Sequence, residues 1–358
     1  MALRLPKISP KDVTDHLDEL VALADSLDVA VVERIVQSRP APEAATWIGA
    51  GKAQELKGLA EQHSAGLVIF DDELSPAQLR NLEKIIGTRI ITRTELILDI
   101  FAHKARTFEA KLQVELAQLE FSLTRLRHLW SHLEGQRGGI GVRGGAGERQ
   151  IEVDRRQVRS RITTLKKRLS EIRDRRTVQR SNRLGFPVGA VVGYTNVGKS
   201  TLVNRIAGTK LYTENKLFAT LDAATRRVEF EGGNVLLTDT VGFIRKFPPQ
   251  LAASFRSTIE EALDADFLVH VADASHPGLK DQIATVEKFL EEMGAEKKPV
   301  IKLLNKADLV RSLDLRRRNP SIDEWIPVSA KSGAGMNLFR DAIRRMLKRR
   351  METQAVGS

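Results

Sequence analysis

The 358-residue chain is 42% hydrophobic and 29% charged, as soluble globular proteins are, and it is too long for one ordinary core, so two or three domains are expected. It contains no cysteine, which excludes disulfides, thiolate metal sites and cysteine nucleophiles. No run of about eighteen apolar residues occurs and MALRLPKISPKD has no signal-peptide core, so a cytoplasmic location is expected. A formal net charge of +11 and a pI near 9.9 point to an anionic partner, nucleic acid first and a membrane surface second.

From Asp12 to about Phe101, helical and strand patterns alternate. Leu17, Leu20, Val21 and Leu27 recur at helical spacing, and Val29 to Val36 reads as a strand, as does Ala65 to Phe70. A helix from Pro76 to Ile86 and a strand from Thr88 to Thr92 follow, so residues 1–102 predict a small α/β domain. Gly49-Ala50-Gly51-Lys52 has some of the composition of a phosphate loop. It lacks the spacing and the following Ser or Thr, so it reads as an ordinary glycine turn.

From Thr94 the pattern becomes long helix. Leu112, Leu116, Leu119, Leu123, Leu126, Trp130 and Leu133 form one heptad seam. Ile151, Val158, Ile162, Leu165, Leu169 and Ile172 form a second. The glycine-rich stretch 135–147 between them is expected to be non-helical. Residues 103–184 therefore predict an antiparallel helical hairpin with a loose tip, its arms projecting roughly 30 to 40 Å.

Between Thr124 and Gly185, seventeen Arg and Lys stand against six Asp and Glu, which is where the chain's positive excess sits. A charge run is usually a solvated helix face. This one is mostly arginine and borders a loop carrying Arg137 and Arg143, so RNA contact is the favoured reading. Gly139-x-Gly141-x-x-Gly144 matches a dinucleotide fingerprint only formally, because it follows a helix and not a strand. His128 and His132 lie one helical turn apart with no third ligand nearby, and read as packing or exposed histidines. Aromatic residues make up 5% of the chain, too few for base stacking to dominate recognition.

Residues 185–350, before a short tail at 351–358, predict a doubly wound, mostly parallel α/β domain with a phosphate loop. The apolar run Val188 to Val192 suits a buried strand. It breaks into Gly193-Tyr194-Thr195-Asn196-Val197-Gly198-Lys199-Ser200-Thr201 and continues as a helix. Backbone N–H groups of such a bend face an anion, and the following helix adds its positive end. Lys199 is expected to reach the β- and γ-phosphates, and the Ser200 hydroxyl to ligate Mg²⁺. A strand ending in Asp239-Thr240-Val241-Gly242 puts a carboxylate over the metal's water shell and a glycine N–H at the γ-phosphate. A third strand ends in Asn305-Lys306-Ala307-Asp308, whose final carboxylate can accept both hydrogen bonds of guanine's N1–H and N2 amine. Ser329-Ala330-Lys331 ends a fourth strand on the base side. Four such segments in this order, each at a strand end, point to GTP.

These segments resemble the HflX family of ribosome-associated GTPases, and the resemblance covers nearly the whole chain. Its most specific parts lie outside the nucleotide segments: Trp47 to Lys52, Asp71-Asp-Glu-Leu-Ser-Pro76, Arg93-Thr-Glu-Leu-Ile-Leu-Asp-Ile100, Glu109 to Leu116, and the glycine-rich loop into Glu148-Arg-Gln-Ile-Glu152. Phe218-Ala219-Thr220-Leu221-Asp222 looks like a further nucleotide segment of the family. The match implies that Ser200 and Thr220 ligate Mg²⁺; taken with the residue chemistry, it makes Lys199, Thr220, Gly242 and Asn196 the candidates to serve hydrolysis. It also implies that the N-terminal domain and hairpin bind the large ribosomal subunit, where the family separates stalled ribosomes. Arg143-Gly-Gly-Ala-Gly-Glu-Arg-Gln150 departs from the family's usual Arg-Gly-Pro-Gly-Glu-Thr-Gln, being one residue longer and without the proline. Many members carry a further C-terminal domain, whereas this sequence ends soon after a basic stretch from Met336 to about Arg350.

Phe243 stands where many GTPases carry a water-orienting glutamine, so slow intrinsic hydrolysis is expected. Asn196 resembles the asparagine of GTPases that hold K⁺ beside the phosphates, though a purely turn-shaping role accounts for it equally well. The leading expectation is a monomeric Mg²⁺-dependent GTPase that acts on ribosomes. Two alternatives stay open: an assembly GTPase acting on free subunits, and a nucleotide-gated protein that dimerises through its hairpin.

Overall fold

The computed structural model describes residues 1–135, 146–181, 186–208, 217–218, 224–230, 233–246, 263–310 and 324–356, with backbone alone for 125–135, 146–154, 176–181 and 349–356. These residues divide into two units, Met1–Ile172 and the chain from Arg173 onward.

In the first unit, β1 (Ala2–Arg4) pairs in parallel with β2 (Val36–Ser38), and β3 (Leu67–Phe70) with β4 (Arg89–Thr92). Helices α1 (Pro10–Asp25), α2 (Ala50–Gln62), α3 (Pro76–Ile86) and α4 (Arg93–Lys104) accompany them. Local sequence sets several boundaries. Ser9 and Ser75 each form a capping box with a proline in the first turn, and Gly87 ends α3 in the left-handed conformation. Ile48, Leu56, Phe70, Leu82, Ile86 and Ile90 form the core between these elements.

The expected strand from Val29 to Val36 does not form over most of its length. Only Val36 enters a strand, because the facing edge, β1, is three residues long and pairs with Val36 to Ser38. Val29 to Ile35 instead line a pocket of about 280 Å³ with Leu17, Leu20 and Leu56, leaving Val31 and Val32 exposed. β-Branched composition alone makes no strand without a partner edge. Gly49 is the N-cap of α2, and its N–H donates to the Gln37 Oε1 at 3.0 Å.

Three of the family-like segments meet here in one polar cluster. Arg93, 2% exposed, donates through Nε to Asp71 Oδ1 (2.8 Å) and through Nη2 to the His16 carbonyl (2.9 Å), with Glu19 Oε2 3.3 Å away. Thr94 donates to Glu73, and Trp47 Nε1 to Asp72 Oδ2 at 3.4 Å. A buried guanidinium is tolerable only with this many acceptors around it.

The long helix expected from Thr94 is interrupted. α4 ends where Ala105 turns extended, and α5 (Phe108–Gly135) starts afresh with the Ala110 amide donating to Thr107 Oγ1 at 3.1 Å. α6 (Ala146–Ser181) is the second arm. Leu112, Leu116, Ile162 and Leu165 are buried along the seam, flanked by Leu119, Leu123, Val158, Leu169 and Ile172. Arg161 forks onto Glu115 (2.7 and 3.0 Å), and Lys166 pairs with Glu120 (2.8 Å), across the arms. With 28 and 36 residues the helices measure about 42 and 54 Å, longer than the sequence suggested. At the tip, helix takes in Gly135 on the first arm and Ala146 and Gly147 on the second, each glycine opposing it by only about 1 kcal/mol. Arg137, Arg143 and the Gly139–Gly144 fingerprint lie outside the described residues, as do the side chains of His128 and His132.

In the second unit, six strands are ordered β10-β9-β8-β5-β7-β6. They are β5 (Val188–Gly193), β6 (Ala224–Phe230), β7 (Gly233–Asp239), β8 (Phe267–Asp273), β9 (Val300–Asn305) and β10 (Ile326–Pro327). All neighbours are parallel except the β6–β7 hairpin. Helices α7 (Lys199–Ala207), α8 (Leu279–Glu292) and α9 (Met336–Val356) belong to this unit. β8 is buried at every position, as a central parallel strand should be, and the motif segments follow the carboxyl ends of β5, β7, β9 and β10. Among the described residues no helix is long and apolar enough to cross a membrane.

Candidate nucleotide site

β5 delivers the chain to Gly193, and Gly198 starts α7 with φ 91°, a conformation few other residues adopt. Between them Tyr194, Thr195 and Val197 are buried, while Asn196 is exposed with φ 60°, a conformation asparagine tolerates. Lys199 folds back over the loop, its Nζ donating to the carbonyls of Gly193 (3.2 Å) and Tyr194 (2.9 Å). Burial pushes this ammonium down to about 8, partly opposed by Asp239. A buried, under-neutralised cation beside a run of backbone amides is an anion site.

The Ser200 hydroxyl donates to Asp239 Oδ2 at 2.6 Å, and Thr240 fixes the end of β7 by donating to the Val191 carbonyl at 2.7 Å. The pair Ser200 and Asp239 is a hard, all-oxygen donor set with one negative charge, which suits Mg²⁺ shared with phosphate and water. Gly242 presses against this floor. A Cβ there would lie 2.7 Å from Thr195 Cα and 2.8 Å from Lys199 Nζ, so no side chain fits. Phe243, beside it, turns its ring to Phe289 of α8, with centroids 4.6 Å apart.

On the base side, buried Asn305 ties three segments together. Its Nδ2 donates to the Val197 carbonyl at 2.7 Å, and its Oδ1 accepts from the Ala330 amide at 2.9 Å. The Ala307 amide donates to the Val328 carbonyl (3.1 Å), and the Ser329 amide to that of Ala334 (2.9 Å), which fixes the loop ending β10. Lys306, left-handed at φ 60°, lays its ammonium 2.7 Å from Asp273 Oδ2. Asp308 and Lys331 are exposed. Phe218 is buried with φ 54°. Ala219, Thr220, Leu221 and Asp222 lie outside the described residues. The fold thus brings the segments at Gly193–Thr201, Asp239–Gly242, Asn305–Asp308 and Ser329–Lys331 to one edge of the sheet.

Asp273 was not foreseen from the sequence. It anchors Lys306 while accepting from Ser275 N (2.9 Å) and Oγ (2.6 Å). The available signal was its place as the last residue of an apolar strand, in register with Asn305.

A mostly parallel sheet with these four segments at its carboxyl edge defines a P-loop GTPase domain. Residues 188–306 match the family described as "50S ribosome-binding GTPase", residues 14–102 "GTP-binding GTPase N-terminal" and residues 104–183 "GTP-binding GTPase Middle Region". The chain is 46% identical over 307 residues to the GTPase HflX of Flavobacterium psychrophilum, covering 86% of this chain and 74% of that one. It is 43% identical over 342 residues to that of Escherichia coli K12, covering 94% and 80%. It also resembles a solved structure titled "crystal structure of SsGBP and GDP complex" at TM-score 0.51 and 25% identity, over 97% and 98% of the two chains. The chain belongs to the HflX family of GTPases: it binds GTP and GDP and hydrolyses GTP.

Proposed function

We propose that this GTPase is Mg²⁺-dependent, binds the large ribosomal subunit in its GTP form and separates stalled or idle ribosomes in the cytoplasm, hydrolysis resetting the cycle. The observation that carries the ribosomal part is the charge of the hairpin: Arg156, Arg159, Lys167 and Arg168 are exposed on an arm whose apolar seam is already covered by its partner helix. Among the described residues the seam is packed between the arms and these cations face outward, which suits an RNA backbone. The description of the matched GTPase family supports the same partner. In this reading the domain at 1–102 and the hairpin at 103–184 dock, with Arg137 and Arg143 neutralising phosphates, while 185–350 hydrolyses GTP as a monomer.

Within the nucleotide site, the amides of Gly193 to Thr201 cradle the phosphates and Lys199 neutralises the β- and γ-groups. Ser200 and Thr220 hold Mg²⁺, with Asp239 behind its water shell. The metal, when bound, offsets phosphate charge. The Gly242 amide receives the γ-phosphate, and Phe218 to Asp222 is the segment that supplies Thr220. Asn305, Lys306 and Ala307 support Asp308, which reads guanine, and Ser329, Ala330 and Lys331 border the base. Asn196 holds K⁺ beside the phosphates. Sedimentation with ribosomes and a non-hydrolysable GTP analogue tests the partner. Separation of intact ribosomes is expected. Binding to free subunits alone would indicate an assembly factor, and self-association without ribosomes a dimerising switch.

A further inference from the structure

The segment after Gly242 is anchored through both backbone and side chains. The Phe243 amide donates to the Gly193 carbonyl at 3.1 Å, and its carbonyl accepts from the Thr195 amide at 2.8 Å, a one-residue parallel bridge to Tyr194. Two residues on, the Arg245 amide donates to the Tyr194 hydroxyl at 2.7 Å. The Arg245 guanidinium reaches Asp281, in the first turn of α8, at 3.1 Å. The Phe243 ring lies against Phe289 on the same helix, 4.6 Å between centroids and tilted by 47°. Asp281 and Phe289 are eight residues apart, so they share roughly one helical face.

Every one of these contacts bears on Gly242, whose backbone is already pressed onto Thr195 and Lys199. Loss of the aromatic contact removes one anchor from the Phe243 side chain and loss of the ion pair one from Arg245, while the backbone bonds to Gly193, Thr195 and the Tyr194 hydroxyl remain. Phe289 is half-buried on a regular helix and Asp281 is exposed, so neither is needed to build the phosphate loop itself.

We propose that Phe289 and Asp281 are positioning residues for GTP hydrolysis: through Phe243 and Arg245 they set Gly242 on the phosphate loop, and α8 thereby governs the grip on the γ-phosphate. This rests on the reading that the Gly242 amide meets that phosphate. It gives the Phe243 ring an anchoring task at the place where other GTPases hold a water-orienting glutamine.

The test measures Mg²⁺–GTPγS affinity, GDP affinity and single-turnover hydrolysis of the full chain carrying Phe289→Ala, Phe289→Tyr or Asp281→Asn. For Phe289→Ala, GTPγS affinity and turnover should each fall about 2- to 10-fold, the worth of one aromatic pair, with GDP affinity unchanged and both losses restored in Phe289→Tyr. Asp281→Asn should shift the same quantities in the same direction by less, as an exposed pair would. It also carries the test alone if Phe289→Ala fails to fold. Parallel loss of GDP and GTPγS binding, or no change in either, would overturn the proposal. If wild-type protein and Gly242→Ala discriminate GTPγS from GDP equally, the Gly242 reading fails beneath it, and that outcome is separable from failure of the anchor alone.

Discussion

The Asn305 side-chain amide lies 2.7 Å from the Val197 carbonyl, so the base-side strand end is bonded directly to the phosphate loop. The same side chain accepts from Ala330, and both contacts are buried. One residue therefore fixes the spacing between the two ends of the nucleotide. Asn305→Ala removes both bonds and leaves the Val197 carbonyl and Ala330 amide unsatisfied, a cost of about 1–3 kcal/mol for each buried group. GDP affinity is expected to fall at least about 10-fold, with a lower Tm of the nucleotide-free protein. Unchanged affinity in a calorimetric titration would show that the loop keeps its spacing without this bridge.

Lys199 supplies a pH dependence whose sign follows from its burial. Its ordinary value of 10.5 falls to about 8 here. Between those values the unfolded chain holds more protons than the folded one, so stability rises with pH across that window, and the full cost is present below about 8. Phosphate beside the ammonium restores its preference for the charged form. Nucleotide binding should thus take up a proton at pH 8 to 9, and affinity should decline above about pH 8. Titration calorimetry in buffers of different ionisation enthalpy measures the uptake. Lys199→Met should raise the Tm of nucleotide-free protein at pH 7 while weakening GDP binding, and a lowered Tm would contradict this.

Asp308 offers the sharpest test of base reading. Its carboxylate is exposed at the sheet edge, while the neighbouring Asn305 and Lys306 side chains are tied to the Ala330 amide and to Asp273. The carboxamide of an Asp308→Asn variant presents one donor and one acceptor where guanine needs two acceptors, and polar sites reject such mismatches by orders of magnitude. GDP affinity should drop at least about 100-fold, and xanthosine diphosphate, with a carbonyl in place of the N2 amine, should bind better than GDP. Retained guanine preference would assign base reading to another residue.

Much of this was legible because local chemistry and tertiary structure agree. α3 occupies Pro76–Ile86 as its Ser75 capping box, leading proline and Gly87 stop dictate, and the nucleotide segments stand at strand ends because apolar runs lead into them. The failures are places where a long-range partner decides. Val29 to Ile35 has strand composition but no edge to pair with; the break at Ala105 to Thr107 is the exception, a local cap of α5 by Thr107 that the helical pattern overran. Asp273 is an ordinary strand-end carboxylate until β9 brings Lys306 beside it. The direction of the Phe243 ring likewise depends on Phe289, which lies 46 residues further along the chain.

Asn196 separates two physical roles. With φ 60° and an exposed side chain, it is suited to bending the phosphate loop, and that requirement alone accounts for asparagine at this position. The same exposure leaves its carbonyl oxygen able to face a monovalent cation beside the phosphates. A cation there would spread the charge that develops between the β- and γ-groups, as an arginine finger does in other GTPases. Exchange of K⁺ for Na⁺ at constant ionic strength should then slow turnover by about 10-fold or more while GDP affinity holds. Asn196→Gly keeps the left-handed bend and removes the oxygen, so it should lose the K⁺ response without losing nucleotide binding. Equal rates in K⁺ and Na⁺ would leave Asn196 a turn residue, and the slow intrinsic hydrolysis expected from Phe243 would then depend on a group supplied by the partner.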